Sequence, residues 1–483
     1  MNTLVTADPA AAFTRRRFLL VAAAAASGAA VTLAGCGTGS KAGGPSTPAD
    51  SIPASSRTSG ADPGTTPTSG TGSSGPGGSS GPAGTPQALR GTGARRKPGD
   101  PAGARAALAD FGADFLRQAR ALDPDIPNTA ISPYSLFTVL AMARAGAKAE
   151  TAAQIDAALR AAGVDTQGAV ISAVDAGVTA ALAAAKTAAT DGADPMVIQP
   201  ANQAWVQDGF PVRQEYLDAL AVQYGVEAMA ADFAADPEKM RAAINDWVAD
   251  RTNDLIPELF PEGSIDVATV LVLVNALYLK AAWSEPFRKG QPAAFFTGDG
   301  EVQVPMMTSP DPVRGVAGKG WTAVTIPYLG GGAAMTLLVP DKGGFSSTLK
   351  ALDAAMVGTA ASVTKSVSLT MPLFSIASTS DAKGIAEQLG IADIFSTSAA
   401  DLSGIAGVPG DLYAQSFVHQ AVVKVDEKGT EAAAATGMGV GVTSLPMVDL
   451  ELTVDRPFLF WISETVTGAP LFLGAVTDPT ASA

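Results

Sequence analysis

The chain of 483 residues contains one cysteine and one histidine. A single cysteine forms no internal disulfide. A single histidine, His419, rules out a multi-histidine metal site and makes a Ser/His/Asp constellation hard to assemble. Charge is sparse too, at 16% of residues, and the formal net charge is −14. An acidic chain repels phosphate backbones, so nucleic acid is not an expected partner. Short enzyme motifs fail when their context is checked. Ser347-Thr-Leu-Lys350 has the form S-x-x-K, but no S-D-N or K-T-G follows it. Gly437-Met-Gly439-Val-Gly441 runs into Thr-Ser-Leu-Pro, not into a helix whose N-terminus would hold a pyrophosphate. No G-x-x-x-x-G-K-[ST] loop occurs. A carboxylate pair has 46 acidic residues to draw on, yet nothing in their spacing supports one. Apolar residues, by contrast, make up 47% of the chain, enough for a large core.

The first 35 residues read as an address. Thr14-Arg-Arg-Arg-Phe-Leu-Leu20 places positive charge before an apolar run from Phe18 to Ala34. It resembles a twin-arginine export signal with Arg15 and Arg16 as the pair; general secretion is the other route. The run is too short and too rich in alanine for a confident membrane span. It closes on Leu33-Ala34-Gly35-Cys36, which resembles the lipobox of bacterial lipoproteins. That resemblance implies cleavage after Gly35 and acylation of Cys36, a stable anchor if several chains are attached. The plainer alternative is a secretory signal with a cysteine near its cleavage site.

Residues 36–100 are almost entirely Gly, Ser, Thr, Pro and Ala. They lack the branched and aromatic residues needed to bury a face, so a disordered linker is expected. Its end-to-end distance would be about 40–50 Å. Arg95, Arg96 and Lys97 near its end are read as solubilising charge, with contact to an anionic polymer as the alternative.

Residues 101–483 form one large domain with no internal repeat. Leu108, Phe111 and Phe115 recur at helical spacing. Ser132 and Pro133 read as the N-cap and first residue of an apolar helix through Ala141. Val212–Tyr224 and Ala242–Thr252 also read as helices. Strand-like runs cover Val270–Ala282, Thr322–Pro327, Ala334–Val339, Ser366–Met371, Ala421–Val425, Leu450–Val454, Phe458–Ile462 and Leu471–Val476. Helices early and strands late predict an α+β fold with mainly antiparallel sheets.

Residues 426–447, DEKGTEAAAATGMGVGVTSLPM, have the composition of a loop and the pattern of a strand. Every second residue from Thr430 is small or apolar: Thr430, Ala432, Ala434, Thr436, Met438, Val440, Val442. In a strand these share one face, and nothing large obstructs burial. The glycines and Ser444-Leu445-Pro446 describe a loop. A segment that is first exposed and later inserted satisfies both readings.

This stretch resembles the reactive-centre loop of serpins, and Glu427-Lys-Gly-Thr-Glu-Ala-Ala-Ala-Ala-Thr436 is close to the hinge of inhibitory members. Further matches are Ile131-Ser-Pro-Tyr-Ser135 within 128–155, Val274-Asn-Ala-Leu-Tyr-Leu-Lys-Ala-Ala-Trp283 with Pro286-Phe287, Asp455-Arg-Pro-Phe-Leu-Phe-Trp-Ile462, and Phe472-Leu-Gly-Ala-Val-Thr-Asp-Pro479. The resemblance covers about 104–479.

The resemblance implies the serpin fold, helices around three mainly antiparallel sheets with an exposed loop. It implies a suicide inhibitor of serine endopeptidases, with cysteine endopeptidases as a further target class, and not an enzyme. No cofactor or metal is implied, and a monomer is expected. The hinge maps to Glu427, Gly429, Thr430, Glu431, Ala432, Ala433, Ala434, Ala435 and Thr436. Counting from it places the reactive bond at Thr443-Ser444, with Leu445 the runner-up. Small residues there point to an elastase-like or subtilisin-like protease, and Leu445 to a chymotrypsin-like one. Asn128, Ser132, Ser135, Asn275, Trp283 and His419 map to the shutter and breach, where strands part for insertion. Their alternative role is simply to satisfy buried backbone groups. Leu373 departs from the family pattern: many members carry there a lysine that faces the hinge glutamate. The competing reading is a non-inhibitory serpin used as a binding or carrier module at the cell surface.

Overall fold

The computed structural model describes residues 86–189, 196–431 and 447–481. Cys36, Ala432–Thr436, Thr443, Ser444 and Leu445 lie outside these residues.

Three sheets are present among the described residues. The first has eight strands. Its order is Gln87–Leu89, Ala228–Ala231, Val197–Gln207, Leu271–Ala282, Gly429–Thr430, His419–Val425 and Phe374–Ser380, with Ser416–Phe417 added beside Leu271–Ala282. The second has ten strands and is built around Pro470–Val476, Phe458–Glu464, Ala333–Pro340 and Trp321–Pro327, all antiparallel. Ala293–Phe296 and Glu301–Val304 form a two-stranded third. The expected α+β class and the eight strand-like runs are all found, each shifted at its ends by no more than two residues.

Helices begin where short polar side chains cap them. Ser132 Oγ accepts from Ser135 N–H at the start of Pro133–Gly146, with proline in the first turn. Asp100 and Asp236 do the same for Pro101–Leu122 and Pro237–Arg251. Each such cap is worth about 1 kcal/mol. The first sheet is covered on both faces. Its Leu271, Leu273, Leu277 and Leu279 side join the main core with helices Pro101–Leu122 and Pro133–Gly146. Val272, Val274 and Ala276 face the other way, onto Met240, Ile244 and Val248 of Pro237–Arg251. This alternation along one strand is the period of two that a sheet covered on both sides requires.

Two expectations are corrected. The linker does not run to residue 100. Gln87–Leu89 pairs antiparallel with Ala228–Ala231 and becomes the edge strand of the first sheet. Arg95 then pairs with Asp175 and reaches the Val222 carbonyl, while Arg96 N–H bonds that same carbonyl and its guanidinium meets Gln223. A segment poor in apolar residues is held by backbone pairing and by two arginines, which composition alone does not weigh. The second correction is a missed central strand, Val197–Gln207. It carries Pro200, which normally argues against a sheet interior. Pairing with Ala228–Ala231 starts only at Ala204, so at Pro200 the strand has Leu271–Ala282 on one side and no ladder on the other.

Candidate functional site

The first sheet has one weak seam. Leu271–Ala282 and His419–Val425 run parallel and touch directly at two pairs only, Gln420 with Ala276 and Ala421 with Leu277. Towards Ala282 they separate, and the chain enters between them. His419–Val425 ends in a tight turn in which Asp426 Oδ1 accepts from Lys428 N–H (2.7 Å) and Gly429 N–H (3.1 Å). The returning Gly429–Thr430 pairs antiparallel on both sides, with Ala282 and Ala281 on one and Val425 on the other. Gly429 and Thr430 are therefore a short strand of their own between the two.

The register of this entry fits the seam below it. Val425 stands to Ala281, across Thr430, with the same sequence offset as Gln420 to Ala276 and Ala421 to Leu277. A strand continuing from Thr430 would keep both neighbours without slipping. That matters because a slip by one residue would turn every side chain to the wrong face.

The mouth is fixed around Trp283, which is 2% exposed. Its Nε1–H donates to the Asp426 carbonyl (2.9 Å) and its backbone N–H to the Lys428 carbonyl (2.9 Å). Phe287 N–H donates to the Glu427 carbonyl (2.7 Å), so Glu427 contributes its backbone here. Tyr328 stacks on Trp283 with centroids 4.6 Å apart and planes 8° from parallel, an arrangement worth about 1 kcal/mol beyond burial. The Tyr328 hydroxyl meets Thr430 Oγ1 at 2.6 Å. Burial drives the phenol pKa far above its ordinary value. Gly429 has no room for a side chain, since a Cβ would collide with the Ala281 carbonyl and Ala282 Cα.

Beyond Thr430 the strand stops. Glu431 N–H still donates to the Lys424 carbonyl (3.0 Å), but its φ of 54° lies in the left-handed region, which turns the chain out of the sheet. Burial raises the Glu431 carboxyl pKa, and Lys424 and Lys280 on the flanking strands oppose that rise.

The floor of the seam holds His419, fully buried, at the start of its strand. Its Nε2 accepts from Ser132 N–H (2.9 Å), and desolvation lowers its pKa to about 3. Ser132 caps the helix beneath, and Ser135 Oγ donates to the Ala276 carbonyl (3.4 Å) at the last directly paired position. Ser132, Ser135 and His419 thus meet at the closed end of the seam, and Trp283 lies at the open end. Asn275 is in the Leu271–Ala282 strand, opposite Asn202.

Asn128 is a correction. Its amide donates to the Asp478 carbonyl (2.6 Å) and its carbonyl oxygen accepts from Thr477 and Asp478 N–H. It clamps the chain leaving Pro470–Val476 in the second sheet and takes no part in the seam, because Asn128–Ile131 pairs with that strand. Tyr328 and Asp426 were missed. The tyrosine's partner is 102 residues away, and no local pattern announces such a pair. A turn signal was available for Asp426, since Asp-x-x-Gly is a common turn.

Comparison with known proteins agrees with this geometry. Residues 106–479 match the family described as Serpin (serine protease inhibitor). A serine protease inhibitor of Cyanea capillata is 34% identical over 365 residues, covering 73% of this chain and 93% of the relative. Leukocyte elastase inhibitor A of Mus musculus is 33% identical over 366 residues, with the same coverage of each chain. The crystal structure of tengpin, a thermophilic serpin in the native state, superposes with a TM-score of 0.67 at 25% identity, covering 81% of this chain and 97% of that one.

Proposed function

This chain belongs to the serpin family of protease inhibitors, and from that premise we propose that it is a suicide inhibitor of serine endopeptidases. The target's nucleophilic oxygen attacks the Thr443 carbonyl, the amine of Ser444 leaves, and an ester joins protease to inhibitor. The freed N-terminal half of the loop then enters the seam as a new strand and carries the protease with it. Strand addition of this kind gains a full ladder of backbone hydrogen bonds. The intact form holds that energy behind a kinetic barrier.

The observation that supports this reading is the Gly429–Thr430 pair, seated between two parallel strands in the register that continued insertion needs. In that register Ala432 would come between Leu279 and Val423, and Ala434 between Leu277 and Ala421. All four flanking residues are buried in the main core. The alanines are small enough to enter. Opening the seam as far as His419 breaks the two direct pairs Gln420–Ala276 and Ala421–Leu277, and a strand running its full length would also displace the Ser416–Val272 and Phe417–Leu273 pairs.

Thr443 with Ser444 favours an elastase-like or subtilisin-like target, in keeping with the elastase inhibitor among the relatives. Leu445 as the cleaved residue would favour a chymotrypsin-like one. Residues 1–35 and the Leu-Ala-Gly-Cys36 motif support export and lipid anchoring, which would place the domain on the outer face of the cell membrane. The test is incubation of the protein with elastase, subtilisin and chymotrypsin, followed by a denaturing gel and mass spectrometry. A band at the summed mass that survives SDS is expected, with the cut after Thr443. Clean cleavage without that band contradicts the proposal and favours the carrier reading. Substituting Cys36→Ser should release the protein from membranes, and unchanged retention would oppose the anchor.

A further inference from the structure

We propose that Tyr328 is a positioning residue for loop insertion: its hydroxyl holds Thr430 inside the first sheet, so that insertion starts from a strand already nucleated. The proposal rests on the trapping mechanism above. Tyr328 is itself immobilised. Its ring lies on Trp283, its N–H donates to the Ala333 carbonyl (3.0 Å), and its carbonyl accepts from Ser284 Oγ (2.9 Å). The phenol oxygen then meets Oγ1 of Thr430, a residue only 1% exposed. Among the described residues neither hydroxyl makes a second hydrogen bond. Each depends on the other: if Thr430 left the sheet, a buried phenol would lose its partner, and buried polar groups are costly when orphaned.

The position is the one where such a catch can act. Thr430 is the first loop side chain to face the main core, beside Ala281 and Val425. The next residue, Glu431, already turns outward with φ of 54°. The hydroxyl pair therefore fixes the last inserted residue before the exit. After cleavage, insertion competes with hydrolysis of the acyl-enzyme. A hinge that is already engaged avoids the slow first step of threading between two strands.

The test is a double-substitution cycle on the full chain, read two ways. Tyr328→Phe and Thr430→Val each leave one buried hydroxyl unpaired. Each should speed hydrogen exchange in the 426–431 peptide about tenfold. Each should also raise the number of inhibitor molecules consumed per protease trapped at least about twofold. The double variant Tyr328→Phe/Thr430→Val has no orphan but no bond either, so both readouts should be less impaired than in either single variant while staying short of the unchanged protein. A role for the ring in packing alone would give no such rescue. Unchanged exchange in both single variants, or a double variant at least as impaired as either, overturns the proposal. If the unchanged protein traps no protease, the inhibitory reading fails, while the exchange cycle still decides whether the catch exists.

Discussion

The two large sheets are built from similar residues and held together very differently. In the second sheet, Phe458–Glu464 pairs with Ala333–Pro340 and with Pro470–Val476 over six residue pairs on each side, all antiparallel. Pro470–Val476 is buried along its whole length, and Phe458, Phe460, Leu471 and Phe472 have no exposed surface. In the first sheet, Leu271–Ala282 pairs with Val197–Gln207 over ten, but meets His419–Val425 at only two. The first sheet is therefore strong everywhere except at one seam, and the segment able to fill that seam starts at its mouth. The proposed insertion is confined to the place where the ladder is interrupted.

The comparison is most easily broken from the loop side. Ala434→Glu would bring a carboxylate between Leu277 and Ala421 on insertion, a burial that costs several kcal/mol without a partner. Trapping should fall by about a hundredfold or more, with the protein cleaved as a substrate instead. A gel assay of complex against cleaved product measures this. The native melting temperature should not change.

Phe458→Ala strikes the other sheet. It removes a fully buried ring that packs edge-on against Phe374, centroids 5.6 Å apart. The loss should be about 3–5 kcal/mol. It should lower the thermal stability of the uncleaved and the cleaved protein alike, because the proposed insertion adds no strand to that sheet. A change confined to one form would contradict the separation of roles.

His419 sharpens the comparison through pH. Its folded pKa is lowered to about 3 from 6.5 by burial, so the unfolded chain takes up a proton that the folded chain refuses. The sign follows: stability is fully present above the unfolded value and falls as pH drops from about 6.5 towards 3. His419→Gln keeps an acceptor for Ser132 N–H but does not titrate. Its stability should fall less steeply than that of the unchanged protein over this range, as followed by denaturant titration at several pH values. Parallel profiles would contradict a neutral histidine at the floor. Ser132→Ala is the mildest case. It removes the cap of Pro133–Gly146 and should cost about 1 kcal/mol, read from the midpoint of denaturation.

How much of this was legible in the sequence depended on distance along the chain. The Ser132-Pro133 helix start, the apolar strands and the alternating small residues after Thr430 are local patterns, and the structure bears out the helix start and the strands. The family resemblance marked Gly429 and Thr430 as hinge residues, but not that both are already paired within the sheet. Val197–Gln207 stayed hidden because Pro200, Asn202 and Gln203 break the apolar alternation. Residues 86–100 were hidden because strand pairing by backbone leaves no compositional mark, and the Arg95–Asp175 pair joins groups far apart in sequence. Asn128 was misassigned because its partners, Thr477 and Asp478, lie at the other end of the domain.

If the chain traps proteases as proposed, the intact protein stores, in the open seam, the stabilisation that a further strand would release. The direct test is thermal denaturation before and after a single cut in the loop C-terminal to Thr436, made by a protease that is not trapped. The cut protein should melt far above the intact one, with the new strand protected from hydrogen exchange. Equal melting temperatures, with residues 432–436 exchanging freely after the cut, would contradict this.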